Sequence, residues 1–446
     1  MNYPNTPGVK IEEISLLPPS VAQVATSVPV FLGFTEKQPA NEVTRIRSMK
    51  EYEDVYGHAY EYKVKITDPT SATNPAPKTE PFTTNTPTVG AYYFYEAMQA
   101  YFLNGGGPCH IISVGIFGDA ISDTVFTGAF EIVERLDEPT LIVFPEAANL
   151  PRDKYANVAN SALDIAKITE DKFVIIDTPV GDNLLTNSVI TDYRTKLTSE
   201  NLDRGAVYFP HLHSIYTYQF DEASTYNGST LKILKDNGSN DHLKALDILQ
   251  QYGKATLPPS PFMAGIYVTS DSNRGVWKAP ANNNVQGVES PEINISNSTQ
   301  GDLNVDPTSG KSINAIRTFS GKGTLVWGAR TLAGNDNEWR YVPVRRLFLS
   351  VEESIKKAVS QFVFENNDAQ TWVKVSAMIK SYLSGIWQDG GLQGVSEKEA
   401  FFVNVGLGQT MSQEDIQKGK MIVKVGLAAV RPAEFIVLEF SHFVNQ

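Results

Sequence analysis

Arg431-Pro432-Ala433-Glu434-Phe435-Ile436-Val437-Leu438-Glu439-Phe440-Ser441-His442-Phe443 is the stretch on which the fold turns. Beyond the proline, Phe435 to Phe440 is apolar on both faces of an extended chain. A terminal strand with strict alternation would lie half-buried on its own sheet. One apolar on both sides needs cover above and below, the condition of a strand in mid-sheet. The opposite end offers a counterpart, Pro7-Gly8-Val9-Lys10-Ile11-Glu12-Glu13-Ile14, fenced by Pro4 and by Pro18-Pro19. Two extended arms set off by prolines fit strands handed to another subunit, with main-chain hydrogen bonds supplying the attachment. They fit equally well two ends that complete the chain's own sheet. Val9, Ile11 and Ile14 are the expected pairing residues of the first arm, and Phe435, Ile436, Val437, Leu438 and Phe440 those of the second. Pro18, Pro19, Arg431 and Pro432 are the expected hinges.

The chain has 446 residues, and single cores stop growing near about 250–300, so two or three domains are expected. Hydrophobic residues make up 41% and charged residues 20%, the balance of a globular chain rather than a disordered one. A net charge of −12 with no basic run argues against nucleic acid, whose binding rests on neutralising phosphates. Cys109 stands alone, which forbids an internal disulfide framework. No apolar segment follows Met1, and no apolar run approaches the roughly 20 residues of a membrane span. Synthesis and folding in a cytoplasm, without membrane insertion, are therefore expected.

Between the arms the rhythm is α/β. Pro29–Phe34, His110–Val114, Leu141–Phe144, Phe173–Asp177 and Ala206–Phe209 read as short buried strands. They alternate with helical patterns at 90–103 and Tyr155–Ile168, which argues for a largely parallel sheet. Residues 66–88, rich in Pro, Thr and Asn, read as an exposed excursion or linker, and 270–312 as a long polar surface loop or a domain crossing. In the last third, Ser350-Val351-Glu352-Glu353 has the pattern of a capping box opening a helix. A second helix is expected at about 369–387, followed by strands Phe401–Val405 and Met421–Leu427 around a polar turn at Gln413–Lys420.

Candidate chemistry is thin. Asp306-Pro307-Thr308-Ser309-Gly310-Lys311-Ser312 ends like a phosphate loop, but Val305 stands where the first glycine belongs and Pro307 removes a backbone donor. His211 and His213 could hold a metal, yet no third ligand is set beside them. Cys109 lacks a positioned base and reads as a small buried apolar group. Asp119, Asp177, Asp182 and Asp203 could serve as acid and base, but nothing in the sequence brings two of them together. No catalytic residue, cofactor or metal is assigned.

Several segments match one family in order. Thr6-Pro7-Gly8-Val9-Lys10-Ile11-Glu12-Glu13, Phe31-Leu32-Gly33-Phe34-Thr35 and Tyr101-Phe102-Leu103-Asn104-Gly105-Gly106-Gly107-Pro108-Cys109 come first. Gly275 to Asn282, Ile313 to Arg317, Val326 to Leu332, Val344 to Leu347, Thr410 to Gly419 and Pro432 to Phe435 follow. Together they resemble the tail sheath proteins of contractile phage tails and related contractile injection systems. Phe364-Glu365-Asn366-Asn367 departs from the family, with Asn where Pro is common.

The resemblance implies a non-enzymatic structural subunit that stacks as hexameric rings around an inner tube and contracts to drive that tube through a target envelope. It implies a C-terminal α+β domain whose sheet is completed by terminal strands of neighbouring subunits, with an inserted α/β domain. The expected layout is an arm at 1–19, an N-terminal segment at 20–89, an outer α/β domain at 90–310, a sheath core at 311–430 and an arm at 431–446. Expected partners are copies of itself, the tube protein, baseplate and terminator or cap proteins, and other sheath isoforms. The subunit would assemble in the cytoplasm and belong to a phage-tail-like particle. Arg330, Arg345 and Arg346, within the matching segments, are candidate interface charges, with intradomain pairing as the other reading. A baseplate component, or an α/β enzyme in the 90–270 region, is the alternative.

Overall fold

Short β-branched and aromatic runs bounded by Gly, Pro and Asn supply the strands of the main sheet. A computed structural model describes residues 20–66, 82–84, 89–179 and 187–435. Val9, Ile11, Ile14, Pro18, Pro19, Ile436, Val437, Leu438 and Phe440 lie outside the described residues. The sheet strands are β1 (Pro29–Thr35), β2 (Thr44–Ile46), β3 (Cys109–Ile116), β4 (Leu141–Val143), β5 (Phe173–Ile176), β6 (Gly205–Phe209), β7 (Ile313–Phe319) and β8 (Gly323–Val326). They form one eight-stranded sheet in the order β8-β7-β6-β5-β4-β1-β3-β2. From β7 across to β3 all neighbours are parallel. Antiparallel β8 and β2 close the two rims.

The parallel centre is buried on both sides, which is why its strands are apolar throughout instead of alternating. Phe31, Ile111, Val143, Ile175 and Tyr208 feed one core. Val30, Leu32, Ile142, Val174 and Val207 feed the other. The covering helices are α1 (Phe94–Leu103), α2 (Asp123–Glu134), α3 (Arg152–Thr169) and α4 (Ser260–Arg274). α1 and α4 pack into the first core, through Phe94, Met98, Phe262 and Tyr267. α2 and α3 pack into the second, through Phe126, Phe130, Tyr155 and Leu163. Gly33 makes the first contact possible, since an added Cβ would lie 2.3 Å from the Phe94 ring. The expected α/β architecture is present. The sheet draws β1, β2, β7 and β8 from either side of the 90–310 stretch.

Two compact units emerge: Val24–Glu353 together with the chain from Ala429, and Ser354–Ala428 together with residues 20–23. Within the segment expected as the sheath core, β7, β8 and the first turns of α5 (Val342–Val359) belong to the larger unit. The smaller unit holds α6 (Ala369–Gln388), β9 (Phe401–Val405) and β10 (Val423–Leu427).

Two expectations need correction. Ser350 does not start a helix, because α5 begins at Val342 and the serine is buried inside it. Upstream Val342, Val344, Leu347 and Leu349 continue the buried side, and Pro343 suits a first turn. Nor is 270–312 one loop, since it contains the end of α4, a strand at Val288–Pro291 and a helix at Asn297–Asn304. Ser296 accepts from Thr299 N at 3.1 Å to cap that helix, and buried Ile295 and Leu303 fasten the segment. At the Pro/Thr-rich stretch, Phe82–Thr84 pairs antiparallel with Val64–Ile66; residues 67–81 and 85–88 lie outside the description.

Candidate functional site

Strand order reverses beside β1: the chain runs outward to β3, then returns to add β4 through β7 on the other side. In open α/β sheets ligands gather at such a switch point, outside the strand C-termini. Here the place is filled from within. Fully buried Glu146, just past β4, accepts from Phe34 N of β1 at 2.6 Å. It also accepts from Tyr93 N at 2.8 Å and Phe94 N at 3.1 Å, at the start of α1. A helix N-terminus is a ready anion site, and this one is taken by the protein's own carboxylate. Burial pushes Glu146 up to about 8, with the three N–H donors pulling the other way. Glu96, on the first turn of α1, is likewise pushed up to about 8 by burial, and its Oε2 has no hydrogen-bond partner.

The residues considered for chemistry are occupied structurally. In the phosphate-loop-like segment, Asp306 accepts from Thr308 N at 3.2 Å, from Ser309 N at 2.8 Å and from the Ser309 hydroxyl. Lys311 Nζ donates to Arg194 O at 2.6 Å, and Ser312 Oγ to Asn304 O at 2.6 Å. The donors a phosphate would need are thus spent inside the fold. His211 Nε2 donates to Thr178 O at 2.8 Å, and His213 Nδ1 lies 2.9 Å from Thr256 Oγ1. Among the described residues no cluster of three or more His, Cys, Asp or Glu could hold a metal. Cys109 is buried, which pushes its thiol far above the ordinary range. Asp119 accepts from Ile116 N at 2.9 Å, and Asp177 from Ser260 N at 2.7 Å. Asp182 lies outside the described residues.

The three arginines marked as candidate interface charges all find partners inside the larger unit. Arg345 Nε lies 2.9 Å from Asp203 Oδ2, and its guanidinium stacks 4.5 Å over the Trp339 ring. Arg346 grips Asp271 at 3.0 and 2.6 Å and sits 4.5 Å over the Tyr267 ring. Arg330 forks onto Glu434 through Nε at 2.9 Å and Nη2 at 2.6 Å. Although burial opposes it, the Arg330 guanidinium with Asn304 and Tyr341 holds Glu434 below the usual carboxylate range. The hinge candidate Arg431 is exposed, and Pro432 half-buried, just before this grip.

In the smaller unit, β9 and β10 pair antiparallel from Phe401↔Leu427 to Val405↔Val423. Phe401 and Val403 are buried, as are Val375, Ile379 and Leu383 of α6, which packs on β9. The other face carries Phe402, 54% exposed. Among the described residues no third strand joins this pair. A two-stranded sheet is marginal alone, and its outer edges present unpaired main-chain groups.

Sequence reasoning passed over Glu146, Asn314, Thr26 and the role of Glu434. Each of the first two is a lone polar residue inside an apolar run, Phe144 to Ala148 and Ile313 to Ile316. That is the signal that could have marked them, because a buried polar group must find partners.

Comparison with known proteins supplies the context. Residues 334–442 match the family model of the phage tail sheath C-terminal domain. The tail sheath protein of Vibrio phage KVP40 is 26% identical over 139 residues. That match spans 30% of this chain and 20% of the phage protein, so only a fifth of this relative's length is covered. Among solved structures, the PVC sheath complex of an extracellular contractile injection system, in its contracted state, is 34% identical with a TM-score of 0.69. It covers 100% of this chain and 99% of its own. A chain of the anti-feeding prophage baseplate, 6-fold symmetrised, is 32% identical with a TM-score of 0.66. There the coverage is 99% of this chain and 100% of that one. With identity above 30% carried from end to end on a shared fold, the chain belongs to the family of contractile tail sheath proteins.

Proposed function

We propose that this protein is the structural subunit of a contractile sheath, polymerising as helically stacked hexameric rings around an inner tube and driving that tube through an envelope on contraction. The observation that carries the reading is the bare two-stranded sheet of β9 and β10 in the smaller unit. A neighbour's segment Phe435–Phe440, apolar on both faces, and a neighbour's Val9–Ile14 have the character of the strands that sheet lacks. Borrowed strands extend it at its free edges and give Phe402 a neighbour on its own face of the sheet. Main-chain pairing keeps subunits joined while their bodies turn, with Pro18-Pro19 and Arg431-Pro432 as points of flexure. The self-filled switch point of the large sheet supports a mechanical role over a catalytic one.

Energy for the stroke then comes from assembly, with an extended state that is metastable against a contracted one. A difference of ~1–3 kcal/mol per subunit, the scale of ordinary coupled switches, grows large over a whole sheath. Partners in this reading are further copies, the tube protein, baseplate and cap proteins, and other sheath isoforms. In this reading the subunit assembles in the cytoplasm and joins a phage-tail-like particle.

Truncation tests the reading. Removing residues 1–17, or those after Arg431, should leave a folded subunit that cannot polymerise. Long striated tubes from either truncated protein under negative stain would overturn strand donation. The likeness to a chain of the anti-feeding prophage baseplate favours one second reading, a baseplate component. Discs instead of cylinders from the full-length protein would select it.

A further inference from the structure

We propose that Arg330 and Arg346 are positioning residues that fix where the two arms leave the body, so that pull on a donated strand passes into the large sheet. This rests on the strand-donation reading and specifies how the arms are rooted.

The C-terminal root is the more fully built. Glu434 is followed directly by Phe435, which is already 72% exposed. Glu434 Oε1 accepts from Arg330 Nε at 2.9 Å and Asn304 Nδ2 at 2.7 Å. Oε2 accepts from Arg330 Nη2 at 2.6 Å and the Tyr341 hydroxyl at 3.1 Å. A forked guanidinium–carboxylate contact is directional and resists sliding in a way an apolar contact does not.

Arg330 is itself immobilised, being 4% exposed. Its N–H donates to Asn314 Oδ1 at 2.8 Å, and its carbonyl accepts from Asn314 Nδ2 at 2.8 Å. Asn314 lies in β7 and also donates to Val207 O of β6 at 3.0 Å. Glu434, Arg330, Asn314 and Val207 thus form an unbroken hydrogen-bonded path from the arm's root to the parallel sheet.

The N-terminal root repeats the device. Arg346 Nη2 donates to Thr26 O at 2.8 Å, and Thr26 Oγ1 donates to Asp271 Oδ2 at 2.6 Å. The Arg346 and Asp271 side chains are 3% and 4% exposed. Two residues on, Val28 O accepts from Thr140 N at 2.8 Å as β1 begins. Ion pairs buried this deeply are a poor route to stability alone, since apolar residues often serve as well. Their placement at both arm roots is what a positional role explains. The anchor lies beyond Arg431-Pro432, so in this proposal it replaces that pair as the point from which the C-terminal arm flexes.

The test uses full-length protein, Glu434→Gln, Arg330→Lys, and a deletion of residues 436–446. Three quantities are read: the subunit concentration at which tubes form, the melting temperature of unassembled subunit, and hydrogen exchange at 429–435. Glu434→Gln should raise the assembly concentration about tenfold, the scale of one charged hydrogen bond. Exchange should rise most at 429–435; the melting temperature should fall somewhat, because buried Arg330 loses its counter-charge, and fall less in Arg330→Lys, which keeps the charge and loses the fork. Parental assembly by both variants overturns the anchor. So does a rise in exchange spread evenly over the body with none concentrated at 429–435, which would make the pair part of the body's core. If the deletion itself assembles normally, strand donation falls instead. If the deletion fails and both variants assemble as the parent, only the anchor falls.

Discussion

A single carboxylate decides what the switch point of this sheet can do. Glu146 spends both oxygens on Phe34, Tyr93 and Phe94, so the helix N-terminus that would receive a ligand's phosphate is already satisfied. Glu146→Ala would strand three buried N–H groups, each costing about 1–3 kcal/mol, and should lower the melting temperature sharply. Glu146→Gln keeps an acceptor oxygen for some of those donors and should fall well short of that loss in thermal melts. Gly33 belongs to the same junction. Any side chain there would run into the Phe94 ring and push α1 off β1. The sequence could mark Glu146 as a buried polar group but names the partners of neither residue, because those depend on which distant backbone arrives beside it.

At the scale of elements, Phe402 separates folding from assembly. It sits on the outer face of β9, more than half exposed, so Phe402→Asp should change the subunit's melting temperature little, as surface changes do. The same substitution should raise the concentration needed for tubes, because a charge would replace the apolar same-face neighbour of a strand added beside β9. Sedimentation of assembled against free subunit distinguishes the two effects. Element types were largely legible: β4, β5, β6 and β9 are short apolar or alternating runs with clear boundaries, and α6 falls at its expected place. The start of α5 was not, because Ser350 to Glu353 imitates a cap while the buried side of the helix continues back to Val342. The Asn297–Asn304 helix was hidden by polar composition, its one buried anchor being Leu303.

For the whole molecule, the buried acids set a pH dependence. Burial pushes Glu96 and Glu146 up to about 8, and Asp177 up to about 7. A carboxyl raised in the folded state binds its proton there when the unfolded chain has released it. Its stabilisation is therefore complete below the ordinary carboxylate range and is lost as pH climbs through 7 to 8. Glu434 runs opposite: held low in the folded state, it favours folding above the ordinary range and loses that advantage as pH falls through its own depressed value. Unassembled subunit should thus melt at a higher temperature at pH 5.5 than at pH 8.5. Equal melting temperatures at the two would mean that these acids are solvated or differently paired. The α/β class was readable from alternating strand and helix runs, but the division of the chain was not. β1, β2, β7 and β8 join one sheet from opposite sides of a long intervening stretch, and strand pairing over such distances leaves no local mark.

The rims of the large sheet have one more outcome. β2 and β8 are short, antiparallel to their neighbours, and β8 is further sheathed by backbone contacts from Asn282 and Val285. Short or covered edges discourage stray pairing with other chains. In a crowded cell full of identical newborn copies, the biggest sheet is therefore a poor template for clumping. Under the strand-donation reading, recruitment would then fall to the lesser sheet of β9 and β10, and ordered growth would be favoured over tangling before any ring has closed.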